Sequence, residues 1–284
     1  MEWISKADIL IVGLGLMGGS YAKALSRLGY HVSAIDTDAE SIAYALENKI
    51  ISEGQTEVTE DFVSQCDAVI FALYPRRFKE WIEQYQQYLR PGTMITDVTG
   101  VKSSVVYEIQ AVLRDDLEYI PAHPMAGRER CGVQNSDDSV FHGANYIVTP
   151  TEKNSPEAVE WCQDLGRILG FARISVLTPE EHDRMIAFVS QLTHCIAVSL
   201  MNCSDDHHLA DYTGDSFRDL TRIARINDEM WSELFLMNRG PLLEQMDVFL
   251  REFTELRDLL ADGEREKMRE KMRISTERRA WFDK

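Results

Sequence analysis

An apolar run, Ala7-Asp-Ile-Leu-Ile-Val12, passes straight into Gly13-Leu-Gly15-Leu-Met-Gly18, and this junction constrains the fold more than any other segment. Gly13 lets the chain turn tightly off a strand. Gly15 has no side chain, so the backbone can approach a pyrophosphate. Gly18 lets the following helix pack close to the strand. Free N–H groups at the helix start then face the phosphates. A second apolar run, His31-Val-Ser-Ala-Ile35, ends in Asp36, near the ~20-residue offset at which an acid meets a ribose diol. Strand, helix, strand and acid in that order read as a dinucleotide site rather than a bare glycine turn. Asp36 would repel a 2′-phosphate, so the pattern favours NAD over NADP, although Thr37 beside it could accept a phosphate with help from a distant Arg.

The first half continues the alternation. Helices are expected at Ala39 to Asn48, Phe78 to Leu89 and Ser103 to Leu113. Strands are expected at Ala68 to Leu73, Thr93 to Asp97, Tyr119 to His123 and Tyr146 to Thr149. A helix from Glu157 to Leu169 and a strand from Ala172 to Val176 follow. Such alternation implies an α/β fold with a doubly wound parallel sheet. From Pro179 onward no strand is expected. Thr178 caps a helix running to about Ser204, with Glu180 and Glu181 in its first turn. Glu229 to Leu260 reads as one amphipathic helix and Glu264 to Arg279 as a charged, solvated one. The expected domains are 1–177, a Rossmann-type nucleotide-binding domain, and 178–284, an all-helical domain. Its long apolar stripes need a partner, which predicts a homodimer.

The chain has 284 residues, with 44% hydrophobic and 27% charged residues, so two domains with proper cores fit. A net charge of −17 disfavours nucleic acid and anionic membrane as partners. No apolar run approaches ~18 residues, so no membrane span is expected. No basic-then-apolar leader precedes the first strand. Five cysteines without a C-x-x-C pair suit reduced thiols in the cytoplasm.

Three further segments carry candidate chemistry. In Ala122-His-Pro-Met-Ala-Gly127, His123 falls at the carboxyl end of an expected strand, either as a proton acceptor or as a polar group holding a loop. Asp183, Ser190 and His194 are offset by seven and eleven residues, within about 20° of one helix face. They form either a buried network or the wall of a cleft. Arg222, set among apolar residues, wants an anionic partner, either Asp219 or a ligand. His207-His208 reads as a polar loop, and no metal site is expected.

Together, Gly13-Leu-Gly-Leu-Met-Gly-Gly-Ser20, Asp97-Val-Thr-Gly-Val-Lys102, His123-Pro-Met-Ala-Gly127, Val189-Ser-Gln-Leu-Thr-His194 and Asp219-Leu-Thr-Arg-Ile-Ala224 with Trp231 resemble the prephenate dehydrogenases of tyrosine biosynthesis. The resemblance covers nearly the whole chain. It implies an oxidative decarboxylation of prephenate to 4-hydroxyphenylpyruvate, with NAD as hydride acceptor. His123 then matches the base at the 4-hydroxyl, and Arg222 the grip on a substrate carboxylate. Ser190, His194, Trp231, Glu129 and Asp219 match positions in or near the substrate pocket. Gly13, Gly15, Leu16, Met17, Gly18, Asp36 and Thr99 match cofactor contacts.

Two departures stand out. The family commonly reads G-S-V-K where this chain has Thr99-Gly-Val-Lys102, so Gly100 replaces the serine beside the base. Asp215 stands where glycine is common, and an acid near Arg222 would either disfavour a second carboxylate or suit the ammonium group of arogenate. Arogenate is therefore the alternative substrate. A β-hydroxyacid dehydrogenase would place a lysine where this chain has His194, and a non-catalytic NAD sensor has only Gly100 in its favour. No ACT or chorismate mutase extension is expected, so tyrosine feedback is expected in or near the active site.

Overall fold

The computed structural model describes residues 7–127 and 130–283. Alternating elements build the first half: β1 (Asp8–Val12), α1 (Leu16–Arg27), β2 (His31–Ile35), α2 (Ala39–Glu47), β3 (Glu53–Gln55), α3 (Glu60–Val63), β4 (Ala68–Phe71), α4 (Pro75–Tyr85), β5 (Met94–Asp97), α5 (Ser103–Val112) and β6 (Glu118–Tyr119). The strands form one six-stranded parallel sheet in the order β3-β2-β1-β4-β5-β6. Strand order reverses direction between β1 and β4, which opens a crevice at their carboxyl ends.

Both faces of this sheet are covered. Side chains alternate along a strand. Ile9 and Ile11 of β1 therefore enter one core with Tyr21 and Leu25 of α1, while Leu10 and Val12 enter another with Phe78 and Trp81 of α4. Ile70 and Phe71 of β4 divide in the same way. The continuous apolar runs seen in the sequence are what burial on both faces demands.

The expected strand from Tyr119 to His123 is in fact two strands. The chain leaves the parallel sheet after β6 and begins β7 (Ala122–Met125), which pairs antiparallel with β8 (Asn145–Val148). β9 (Arg173–Val176), reached through α6 (Pro156–Ile168), pairs parallel with β8. The second sheet is thus β7-β8-β9, three strands packed beside the first. Pro121 donates no ladder hydrogen bond, and its carbonyl accepts from Thr149 N–H instead, which suits a change of sheet at this point.

Beyond Val176 every element is helical. α7 (Pro179–Ile186) opens with a complete capping box: Thr178 and Glu181 each accept the other's backbone N–H. A π-helical turn (Ala187–Leu192) joins it to α8 (Thr193–Met201). By length and composition the joined helix, Pro179–Met201, could cross a membrane. Its polar residues His182, Asp183 and Gln191 are buried and hydrogen-bonded within the protein. α9 (Asp215–Thr221), α10 (Asp228–Met237), α11 (Arg239–Ala261) and α12 (Arg265–Arg279) complete the chain.

The helix expected from Glu229 to Leu260 breaks at Asn238, whose backbone (φ −109°, ψ 28°) leaves the helical region. Asn238 is buried, and its side-chain amide donates to Asp183 O at 2.9 Å and Gln191 Oε1 at 2.7 Å. The break is thus tied to the helix carrying Asp183. On α11 only Leu242 is buried, whereas Leu243, Leu250, Phe253 and Leu260 are exposed in the single chain.

A Cβ at Gly18 would sit 1.8 Å from the Gly13 carbonyl oxygen, backbone against backbone. Gly18→Ala is expected to lower stability by about 1–3 kcal/mol, the usual range for overpacking, read as a drop in Tm. An unchanged Tm would contradict the close packing of α1 on β1.

Candidate active site

The crevice at the carboxyl end of β1 is shaped for a dinucleotide. Gly13 turns off the strand at φ +97°, and a Cβ there would meet the Ala72 carbonyl oxygen at 2.6 Å. Beside Gly15 nothing lies within 4 Å of where a Cβ would stand, which leaves the space a pyrophosphate needs. The first turn of α1 holds no acidic residue to oppose a phosphate. Leu16 is buried and Met17 packs on the core beneath the loop. Asp36 accepts Leu14 N–H at 2.5 Å and Asp38 N–H at 2.8 Å, so its carboxylate is moored at the glycine loop. These features fit NAD.

Thr99 is placed differently from the sequence expectation. It is buried, and its hydroxyl donates to Asp97 and lies 3.2 Å from Lys102 Nζ. The side chain is committed to the core beneath the crevice rather than presented to a cofactor.

The second centre is a line of three side chains. His123 Nδ1 lies 2.8 Å from His182 Nε2, and His182 Nδ1 lies 2.8 Å from Asp183 Oδ1. Asp183 also accepts Lys102 N–H and Ser103 N–H, each at 2.8 Å. Burial alone would push the Asp183 carboxyl up, but His182 and these two N–H groups hold it below the usual carboxylate range. Burial pushes His182 below the ordinary histidine value despite the opposing bond to Asp183. His123 is pushed well below it by burial, then by His182 and Lys102. Both imidazoles are therefore neutral at physiological pH.

The tautomers follow. An ionised carboxylate only accepts, so His182 carries its proton on Nδ1. Its bare Nε2 must then accept from His123 Nδ1–H. His123 is left with a bare Nε2, a proton acceptor at the half-buried end of the line. A Cβ at Gly100 would stand 3.8 Å from that nitrogen and 3.7 Å from Leu234 Cδ1. Gly100 therefore offers the base no hydroxyl, and a side chain there would meet ordinary contacts.

Beneath the line lies a buried ion pair. Lys102 Nζ donates to Asp97 Oδ2 at 2.7 Å with both side chains fully buried, and Tyr119 OH donates to Asp97 Oδ1 at 2.8 Å.

The structure divides the expected Asp183, Ser190 and His194 stripe. The π turn between them opens the helix, because its bonds close over five residues rather than four. Asp183 joins the buried line, while Ser190 and His194 are half-buried. It is the Ser190 carbonyl that accepts His194 Nδ1–H, at 2.9 Å. His194 stacks on Trp231 of α10, with ring centroids 3.8 Å apart. Leu234, one turn further along α10, is the residue beside Gly100 and His123. α10 thus joins the histidine line to the His194–Trp231 wall.

Arg222 opens a 3-10 turn (Arg222–Ala224) that packs against α8. In the single chain it is exposed rather than withdrawn from water, and Asp219 is exposed on α9. Asp215 lies 4.0 Å from Arg218, its own helical neighbour. Glu129 lies outside the described residues. His207 and His208 occupy an exposed 3-10 turn (His207–Tyr212).

His182 and Lys102 were not singled out in the sequence as site residues. The available signal for His182 was a histidine beside Asp183, one turn inside a capped helix.

Residues 21–176 match the family model for the prephenate dehydrogenase nucleotide-binding domain, and residues 178–274 match its dimerization domain. A prephenate dehydrogenase of Bacillus subtilis is 29% identical over 276 residues, covering 93% of this chain and 72% of that protein. A cyclohexadienyl dehydrogenase of Zymomonas mobilis is 28% identical over 265 residues, covering 90% of each. The crystal structure of prephenate dehydrogenase from A. aeolicus, in complex with hydroxyphenyl propionate and NAD+, superposes with a TM-score of 0.91 at 30% identity, covering 99% of this chain and 100% of that one. This chain belongs to the prephenate dehydrogenase family.

Proposed function

We propose that the protein is a prephenate dehydrogenase, converting prephenate and NAD to 4-hydroxyphenylpyruvate, carbon dioxide and NADH. The observation that carries this reading is the hydrogen-bonded line His123–His182–Asp183, which engages Nδ1 of His123 and leaves its Nε2 to accept a proton. NAD, when bound, supplies the hydride acceptor. His123 Nε2 takes the 4-hydroxyl proton as C4 gives up its hydride. The bond from the ring to its carboxylate then breaks, carbon dioxide leaves, and the electron pair completes an aromatic ring whose oxygen regains a proton. Aromatisation drives the decarboxylation, so the residues at hand need only position the substrate and move one proton.

Residues 1–177 form the NAD-binding unit in this reading, with Gly13, Gly15, Leu16, Met17, Gly18 and Asp36 around the cofactor. Residues 178–284 supply the substrate wall and the contact between two copies. The exposed apolar residues of α11 suit that contact. His194 and Trp231 form an aromatic wall, and Arg222 meets a substrate carboxylate. A chain of net charge −17 needs such a local cation to hold an anionic substrate. Tyrosine shares the product's phenol and carboxylate, so inhibition by tyrosine would be competitive at this cleft. Five free cysteines support a cytoplasmic location.

Arogenate is the second reading, favoured by the match to a cyclohexadienyl dehydrogenase along 90% of each chain. Comparing kcat/KM on prephenate and arogenate with NAD decides between them.

His123→Asn is expected to lower kcat by about 10²–10⁴-fold while leaving NAD affinity intact. An unaffected rate would remove His123 from its role. Because the His123 pKa is lowered, the base form persists as pH falls through about 6.5, the ordinary histidine value. The kcat/KM profile should therefore stay flat through that pH and fall only below it. Gly100→Ser meets only ordinary contacts. It should keep or slightly raise Tm, by about 0.4–1 kcal/mol of stability from the stiffer unfolded chain.

A further inference from the structure

Lys102 is a lysine with no contact to the outside of the protein. Its side chain is fully buried and reaches neither the crevice nor the substrate wall. All three of its ammonium protons have partners: Asp97 Oδ2 at 2.7 Å, Thr99 Oγ1 at 3.2 Å and Ala122 O at 2.5 Å. Ala122 is the residue immediately before His123. The Lys102 backbone N–H donates to Asp183 Oδ1, the same oxygen that accepts from His182 Nδ1. One residue therefore grips the histidine line at both ends: the main chain that carries the base, and the carboxylate that sets the tautomers.

A buried ion pair is a poor device for stability alone, since an apolar pair of similar size is often as stable. We propose that Lys102 is a positioning residue of the reaction, a buried cation that holds the His123–His182–Asp183 line in register and opposes a further positive charge on it. This rests on the reading of His123 as the base.

The groups facing the two imidazoles support the sign. From the β5 side come Asp97 and Lys102, and from α7 comes Asp183; the two carboxylates raise the His182 pKa, and Lys102 is the cation that lowers it. α10 brings apolar Leu234 to Gly100, whose Cβ position is also 3.8 Å from His123 Nε2. Tyr119 and Cys162 stay neutral, the phenol and the thiol pushed up chiefly by burial, the thiol to about 12. Lys102 lowers the pKa of both histidines, after burial as the main cause. Removing the cation therefore makes both imidazoles easier to protonate.

The test is kcat/KM against pH for the whole enzyme and for two variants, K102M and K102M/D97N. The double variant removes both ions, so no lone charge is left in the core. Both are expected to bind NAD as the wild type does. In both, the acid limb should move upward, and less in the double variant, which also removes the Asp97 anion that raises the His182 pKa; the loss of rate on the acid side should reach up to about tenfold. K102M alone strands Asp97, so if it does not fold, the double variant decides. A folded double variant with a wild-type acid limb would overturn the proposal. So would a double variant that cannot fold, because Lys102 would then serve the fold only. Wild-type turnover of prephenate in the same assay separates either failure from a failure of the functional reading itself.

Discussion

The carboxylate of Asp183 is the point on which the rest of the site depends. It sits on the first helix after the sheets, yet two of its hydrogen-bond donors, the N–H groups of Lys102 and Ser103, belong to the start of α5 in the nucleotide-binding half. Its third donor is His182, and through His182 it reaches His123. A single buried anion thus fastens the helical half to the Rossmann half and fixes which nitrogen of the base is bare. Such a group is stable only when fully paired. Here the two backbone donors and one imidazole satisfy it, with the Lys102 ammonium close behind.

The same fastening recurs around α10. Asn238 reaches back to the Asp183 carbonyl, and Gln191 donates to the Leu234 carbonyl. Arg76 N–H in α4 donates to Glu233 on the other side. α10 is therefore held by both halves, and it carries the two side chains, Trp231 and Leu234, that border the wall and the base. The break at Asn238 follows from this. The Asn238 side-chain amide is committed to the helix of Asp183 at the point where the backbone leaves the helical region.

Much of this was legible in the sequence, and the parts that were not have a common cause. The glycine loop, Asp36 and the alternating strands were readable because their spacing is local. Thr178 with Glu181 announced a helix start for the same reason. The split at Tyr119 to His123 was hidden because each half is a plausible strand, and the Pro121 that separates them suits a strand end as well as a break. The stripe of Asp183, Ser190 and His194 assumed an unbroken α-helix, and a π turn has no clear signature in the residues. His182 and Lys102 were missed because their meaning is tertiary. A lysine looks solvated until Asp97 and Ala122 are seen around it, and a histidine between Glu181 and Asp183 looks like part of a charged surface turn. Arg222 is exposed in one chain, where its apolar neighbours in the sequence suggested partial withdrawal from water.

His123 presents a bare Nε2 because His182 and Asp183 leave it no other tautomer. Nitrogen-15 NMR of the histidine rings in the whole protein at neutral pH tests this without any variant. Both His123 and His182 are expected to be neutral with their protons on Nδ1. A proton on His123 Nε2, or a charged His182, would contradict this.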